Sequence, residues 1–388
     1  MKLINAWTLE LDEPADAVSE ILDQLNLEKN ALKNSVGFVT CSYDFIESGM
    51  VRMICEALPF DVVGCTTLTN ANNQETGTML FCLTVLTADD CRFTTAITGP
   101  LSENMEGVIK EAVQKAKSNP AQGGCTDAKM ALVFLPIFGL GGEIILDTLD
   151  KELGGIPIFG TVACGSDTSD FNNTCVIHNG ECIRDSLAFL LISGNVNPRF
   201  VVTSTSEQNL IKQQAVVTSS EGGLLKEVNN ITAKAYLESK GLVVGKGAEG
   251  LVSVPFVVDC NDGTQPVARA IYGINEDGSA NCGGNMPEGS ALYIGRMDVE
   301  DILLTAEHSV IKLLADGKAN GLIMFPCMGR NMVLAMDPFA EINVARKLTG
   351  NDIPWHLAYS GGECCPVFTT DGRIANRFHN FTFIGCAL

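Results

Sequence analysis

The run Val36-Gly37-Phe38-Val39-Thr40-Cys41, a helical stretch from Met50 to Leu58, and then Asp61-Val62-Val63-Gly64-Cys65-Thr66-Thr67 decide the fold class. The same succession returns at Ala131-Leu132-Val133-Phe134-Leu135-Pro136, a glycine-rich loop, Glu143 to Leu153, and Ile156-Pro157-Ile158-Phe159-Gly160. It comes a third time at Gly321-Leu322-Ile323-Met324-Phe325-Pro326-Cys327, Phe339 to Leu348, and Ile353-Pro354-Trp355-His356. Val39 to Val63 and Phe134 to Ile158 each span 24 residues, and Met324 to Trp355 spans 31. Two parallel strands of one sheet need a crossover of about that length, carried by a helix. The chain therefore reads as three β-α-β units.

Strand-rich stretches surround these units. Gly77 to Leu86 and Arg92 to Thr98 read as neighbours in a meander, and Asn179-Gly180 marks a hairpin ahead of Ser186 to Ile192. Arg377 to Cys386 is again strand-like. Polar residues increase from Asn195 to Glu221, and the domain boundary is placed there, giving domains 1–197 and 198–388. The second domain opens with an expected helix over Gly223–Ser239. Strands at Leu251–Asp259, Val267–Ile274 and Ser290–Arg296 follow, and a helix over Val299–Ala315. Hairpins among the crossovers favour a mixed α/β class, with two lobes of mixed sheets covered by helices.

Composition narrows the function. Of 388 residues, 46% are hydrophobic and 19% charged, so a buried core is available and disorder is not indicated. Asp and Glu number 46 against 26 Lys and Arg, a net charge of −20. That surface repels phosphate backbones and anionic lipid, and no basic run offsets it, which argues against nucleic-acid or membrane partners. No apolar stretch is long enough to span a bilayer, and the amino terminus turns acidic at Glu10 before a signal-peptide core develops, so a cytoplasmic location is expected. Fifteen scattered cysteines without a Cys-x-x-Cys read as buried thiols of a reducing compartment.

Familiar motifs fail. Gly245-Lys246-Gly247-Ala248-Glu249-Gly250 matches a dinucleotide fingerprint in letters, but the strand-like Leu251-Val252-Ser253-Val254-Pro255-Phe256 follows where a helix is needed, so it reads as a turn. Four histidines, His178, His308, His356 and His379, give no metal-ligand spacing; no metal and no cofactor are expected. What remains are the carboxyl ends of the repeated strands, where open α/β layers hold ligands: Cys41, Gly64 to Thr67, Phe138 to Gly142, Gly160 to Asp167, Cys327 to Asn331 and Ser360 to Glu363. Glycines there either turn backbone N–H groups toward an anion or simply make tight turns.

These strand ends resemble the FIST family, a bacterial sensory module of an N-terminal and a C-terminal FIST domain. Val62-Val63-Gly64-Cys65-Thr66-Thr67 and Ile156 through Asp167 resemble segments of the N domain. Pro326-Cys327-Met328-Gly329-Arg330, Tyr359-Ser360-Gly361-Gly362-Glu363 and His379-Asn380-Phe381-Thr382 resemble segments of the C domain. Gly361, in place of an aromatic residue, and Cys364-Cys365 depart from the pattern. The resemblance implies a small-ligand sensor, with an amino acid or related carboxylate as ligand. Output would pass through a separate partner, because no output domain is seen in the chain.

On that reading Arg330 holds a ligand carboxylate with its two prongs and Glu363 takes an ammonium group. Cys65, Thr66, Thr67, Cys327, Asn331, His379 and Asn380 complete the set. Arg330 pairing with Glu363, and an internal strand network around His379, are equally compatible with these residues. Two other function classes stay open: an enzyme with Cys327, Cys65 or Cys364 as nucleophile and His379 or His356 as base, and a scaffold that docks proteins.

Overall fold

The structure is a computed structural model that describes residues 1–118, 127–137, 141–165, 171–244, 251, 253–315, 317 and 319–388. The Gly245–Gly250 turn, Phe138 to Leu140 and the end of the Gly160–Asp167 segment lie outside the described residues. The class is mixed α/β: mixed sheets covered by helices.

Among the described residues, each of the three β-α-β units supplies the only parallel strand pair of its own six-stranded sheet. In the first unit the pair is Asn34–Cys41 with Val62–Thr66, in the second Ala128–Leu135 with Ile158–Val162, and in the third Leu322–Pro326 with Trp355–Ala358. Registers coincide: Val39 faces Gly64 and Val133 faces Gly160. A Cβ on either glycine would sit 2.0 Å from the facing carbonyl oxygen, so both positions require the missing side chain. One hydrogen bond closes each unit in the same way. Thr67 donates to Cys41, Ala163 to Leu135 and Ser360 to Pro326, at 2.8–2.9 Å. The units are thus structural repeats of one another.

A leading strand opens each repeat (Lys2–Thr8, Cys91–Ile97, Arg199–Thr203) and a closing strand ends it (Phe81–Ala88, Ala188–Gly194, Phe383–Ala387). Phe81–Ala88 and Cys91–Ile97 are therefore not partners in a meander; they belong to two different sheets. Between the parallel pair and the closing strand, each repeat gives a short hairpin to another repeat's sheet. The first repeat's Asn70–Asn72 pairs with Trp355–Ala358, the second's Val176–His178 with Val62–Thr66, and the third's Glu363–Phe368 with Ile158–Val162. The exchange runs around all three.

Where the three sheets meet, Phe38, Phe134, Phe159 and Phe325 form the centre of the core. Phe159 and Phe325 stack at 5.5 Å between ring centroids. His356 sits inside this core against Phe38, with Thr40 on Nε2 and Thr84 on Nδ1, both at 2.9 Å.

The third repeat carries an insertion between its leading strand and the helix Val299–Ala315. Residues 210–295 build a fourth, eight-stranded antiparallel sheet with its own core. The expected helix over Gly223–Ser239 is strand at Leu224–Val228 and Ile231–Thr232, and helix only at Ala233–Ser239, where Thr232 caps the start. Hairpin pairing with the long strand Leu210–Glu221 overrides the helical spacing of those apolar residues.

No helix among the described residues is long and apolar enough to cross a membrane.

Candidate functional site

The carboxyl ends of the three parallel pairs converge. Cys164 donates to the Thr66 carbonyl, Tyr359 to Thr69 and Gly361 to Val162, each at 3.0 Å, so the three strand ends are tied in a ring. The Thr161 hydroxyl adds a 2.7 Å bond to Ser360. Backbone exchange and strand-end chemistry coincide in the first and third repeats, where the exchanged hairpins start within five residues of these ends.

Glu363 is the first residue of the third exchanged hairpin and is completely buried. It lies directly across the ladder from Thr161 on one side and His379 on the other. Opposite residues of an antiparallel pair project from the same face, so Thr161, Glu363 and His379 form one row. The Thr382 hydroxyl donates to Glu363 Oε2 at 2.7 Å, and the Thr382 N–H at 3.3 Å. Oε1 receives no N–H or O–H donor, and the carboxyl's other contact is the weak donor of the Cys327 thiol. Burial without a neutralising cation pushes the Glu363 carboxyl up to about 8.

His379, also buried, donates from Nε2 to the Cys365 carbonyl at 3.1 Å. A carbonyl only accepts, so Nε2 carries the proton and Nδ1 is a bare acceptor, and that atom has no partner. Desolvation pushes this imidazole down to about 3.

The fourth sheet closes over this row. Arg269, 2% exposed, meets Glu143 of the helix Gly142–Leu153 in a forked pair at 3.0 and 3.2 Å. It also donates to the carbonyls of Phe378 (2.5 Å) and Asn285 (3.2 Å). Asn380 accepts from the Ala270 N–H at 3.2 Å. Tyr272 is 48% exposed as a residue, while its hydroxyl reaches Gly283 and the surroundings of Cys327 and Glu363, which raise its pKa together with burial. A Cβ on Gly283 would lie 2.1 Å from Asn380 Oδ1 and 2.9 Å from the Tyr272 hydroxyl. Gly283 therefore lets the fourth sheet approach the site.

Of the residues selected from sequence, Cys327, Glu363, His379 and Asn380 come together here. Arg330 is close by but turned away. Its Nε and Nη2 go to Glu341 Oε1 at 2.8 and 2.6 Å, Nη2 also to the Ile302 carbonyl and Thr305 hydroxyl, and Nη1 to the Ser204 carbonyl. Its pairing partner is Glu341, not Glu363, and both prongs are taken. Asn331 donates to the Pro338 carbonyl at 2.8 Å, holding the loop between two helices. Cys65, Thr66 and Thr67 are not part of this cluster: Thr66 accepts from the Cys175 N–H of the second repeat, and Thr67 bonds Asn70 at 2.5 Å.

The cysteine–histidine couples do not form among the described hydrogen bonds. Burial raises the thiols of Cys65, Cys327 and Cys364, with Glu363 adding to the rise at Cys327 and Cys364. His356 spends both ring nitrogens on threonines. No group of three or more His, Cys, Asp or Glu among the described residues is arranged to hold a metal.

Arg269, Tyr272 and Glu143 escaped the sequence reading. The available signal was an arginine inside the otherwise apolar run Val267-Ala268-Arg269-Ala270-Ile271, a charge that a buried strand carries only with a partner. A separate open groove of about 980 Å³, lined in part by Asn34, Asp61, Asp89 and Arg92, lies at the amino ends of the first repeat's strands, away from this cluster.

Comparison with known families fits this layout. The sequence model of the FIST N domain matches residues 35–231, and that of the FIST C domain matches residues 227–366. The chain belongs to the FIST family. FIST domains are small-ligand sensory domains, and in this FIST protein the second match takes in the fourth sheet and most of the third repeat. No curated protein sequence matches the chain. Among solved structures, it is similar to a cyanuric acid hydrolase from A. caulinodans, at 10% identity and a TM-score of 0.35, over 100% of this chain and 98% of that one. A second cyanuric acid hydrolase gives 10% identity and a TM-score of 0.27 over 76% of this chain and 98% of its own. Values this low carry no argument about shared fold or chemistry.

Proposed function

We propose that this FIST protein is a small-ligand-binding sensory protein whose ligand enters beneath Tyr272 and places a nitrogen against Glu363. The ligand class is amino-acid-like, a small metabolite with an ammonium group, and the signal passes to a separate protein. One observation carries this reading: a fully buried carboxyl whose Oε1 receives no N–H or O–H donor and whose remaining contact is a weak thiol donor, in register with a histidine whose Nδ1 lacks a partner. Buried polar atoms are almost always paired, and exceptions call for a functional explanation. The raised thiols, with His356 engaged at both nitrogens and no thiol hydrogen-bonded to His379 Nδ1, supply no activated nucleophile, which favours binding over cysteine catalysis.

The test is a thermal-shift screen of the purified chain against amino acids and small amines in reducing buffer, repeated on Glu363→Gln and Tyr272→Phe. A ligand at a hundred times its dissociation constant adds about 2.7 kcal/mol. A shift in the wild type that is lost in Glu363→Gln supports the site; a shift retained in both variants places binding elsewhere.

A further inference from the structure

The charges around the site are uneven in a way that bears on what it accepts. Three arginines lie near it, and each already has its own carboxylate: Arg269 has Glu143, Arg330 has Glu341, and Arg377 has Asp262. The two buried ones have no nitrogen to spare. Arg269 uses Nε, Nη1 and Nη2 on Asn285, Phe378 and Glu143, and Arg330 uses all three on Glu341, Ile302, Thr305 and Ser204. Glu363 is the acid left over. The atoms in its row that receive no N–H or O–H donor, Glu363 Oε1 and His379 Nδ1, are both acceptors once the carboxyl is ionised. An ammonium group offers three donors and no acceptor, whereas a carboxylate offers only acceptors.

We infer that the site selects a primary amine over the α-amino acid of the same side chain. The inference rests on the proposed site at Glu363. It departs from a zwitterionic ligand, because a ligand carboxylate entering here meets no guanidinium without a carboxylate of its own, Arg377 keeping only a buried unpaired Nε–H, and must be desolvated beside Glu363. Truncating or displacing one partner of a buried charge pair is costly, so Glu143 and Glu341 do not readily give up their arginines. The ammonium supplies the missing countercharge to Glu363 and donates to Oε1 and Nδ1 together. The Tyr272 hydroxyl and the Cys327 thiol complete the surroundings, and Tyr272, half exposed as a residue, marks where the rest of the amine emerges.

The experiment titrates the full-length wild-type chain by calorimetry with two matched pairs, phenethylamine against phenylalanine and isoamylamine against leucine. The titration is repeated on Glu363→Gln. The expected result is an amine bound at least tenfold more tightly than its amino acid, and a loss of at least tenfold in Glu363→Gln. Amino acids bound as tightly as the amines, with the loss in Glu363→Gln retained, would overturn the amine preference and leave the site standing. Amine binding untouched by Glu363→Gln, or no binding of either class, would overturn the site and the inference together. The wild-type comparison needs no variant, so it decides the preference even if the substituted chain fails to fold.

Discussion

Replacing Glu363 by Gln should stabilise this protein, and by an amount that grows with pH. The side chain is fully buried and its carboxyl is raised from 4.5 to about 8, with desolvation the first cause and the Thr382 and Cys327 contacts opposing it. In the unfolded chain the proton leaves near the lower value; in the folded chain it stays until the higher one. Between these limits the folded state binds the extra proton, so stability falls as pH rises. At about 1.4 kcal/mol per pKa unit, the cost is under about 1 kcal/mol at pH 5, about 3 at pH 7 and about 4 at pH 8. Glutamine keeps the shape and an acceptor for Thr382 but cannot ionise. Urea unfolding of both chains at pH 5, 6, 7 and 8 should show the difference in favour of Glu363→Gln growing by roughly 3–4 kcal/mol across the series. A difference that stays flat with pH would refute the reasoning, since it would mean that Glu363 is ionised in the folded protein throughout.

The two buried imidazoles act in the opposite sense. His356 and His379 are pushed from 6.5 down to about 3 by desolvation, so their contribution is present above pH 6.5 and lost as pH falls. Each costs about 1.6 kcal/mol between pH 6.5 and 5, so over that range wild type should lose about 1.5 net of Glu363 and Glu363→Gln about 3, as read by urea unfolding. Arg330→Met should destabilise by about 3–5 kcal/mol because it strands Glu341 in the core, and adding Glu341→Gln should restore part of the loss; denaturant midpoints of the single and double variants check both. Among the thiols of the described residues, the half-buried Cys182, lowered by its hydrogen bond to Cys175 and by Arg52, should be alkylated first by iodoacetamide in the native protein. Peptide mapping that finds Cys327 or Cys364 labelled ahead of it would contradict the burial that holds those two protonated.

The three parallel pairs were legible because continuous apolar runs at matched separations are a local signal, and strand ends fall at the edges of those runs. The exchanged hairpins were not. Asn70-Ala71-Asn72 is three residues of mostly polar sequence, and nothing in it points to a partner 284 residues away, His356 facing Asn72. Glu363, His379, Asn380 and Cys327 could be picked out because they sit at strand ends in short motifs. The orientation of Arg330 could not, since it depends on Glu341 lying on the next helix rather than on spacing along its own. Arg269 and Glu143 are 126 residues apart and meet only because the fourth sheet docks against the second repeat. Misreading Gly223–Ser239 as helix has the same root, because hairpin pairing outweighed a local periodicity.

The reciprocal loan of hairpins has a consequence for how the chain is made. As the polypeptide leaves the ribosome, the first repeat's sheet stays open at one edge until residues 176–183 arrive. The second repeat's sheet stays open until residues 363–379 arrive, close to the end of the chain as given. The hairpin at 70–77, emerging early, has no strand to join until Trp355–Ala358 exists. Nascent repeats therefore expose strand edges for most of synthesis, a state prone to pairing with the wrong neighbour. Folding is completed late and all together, when the last loan is returned.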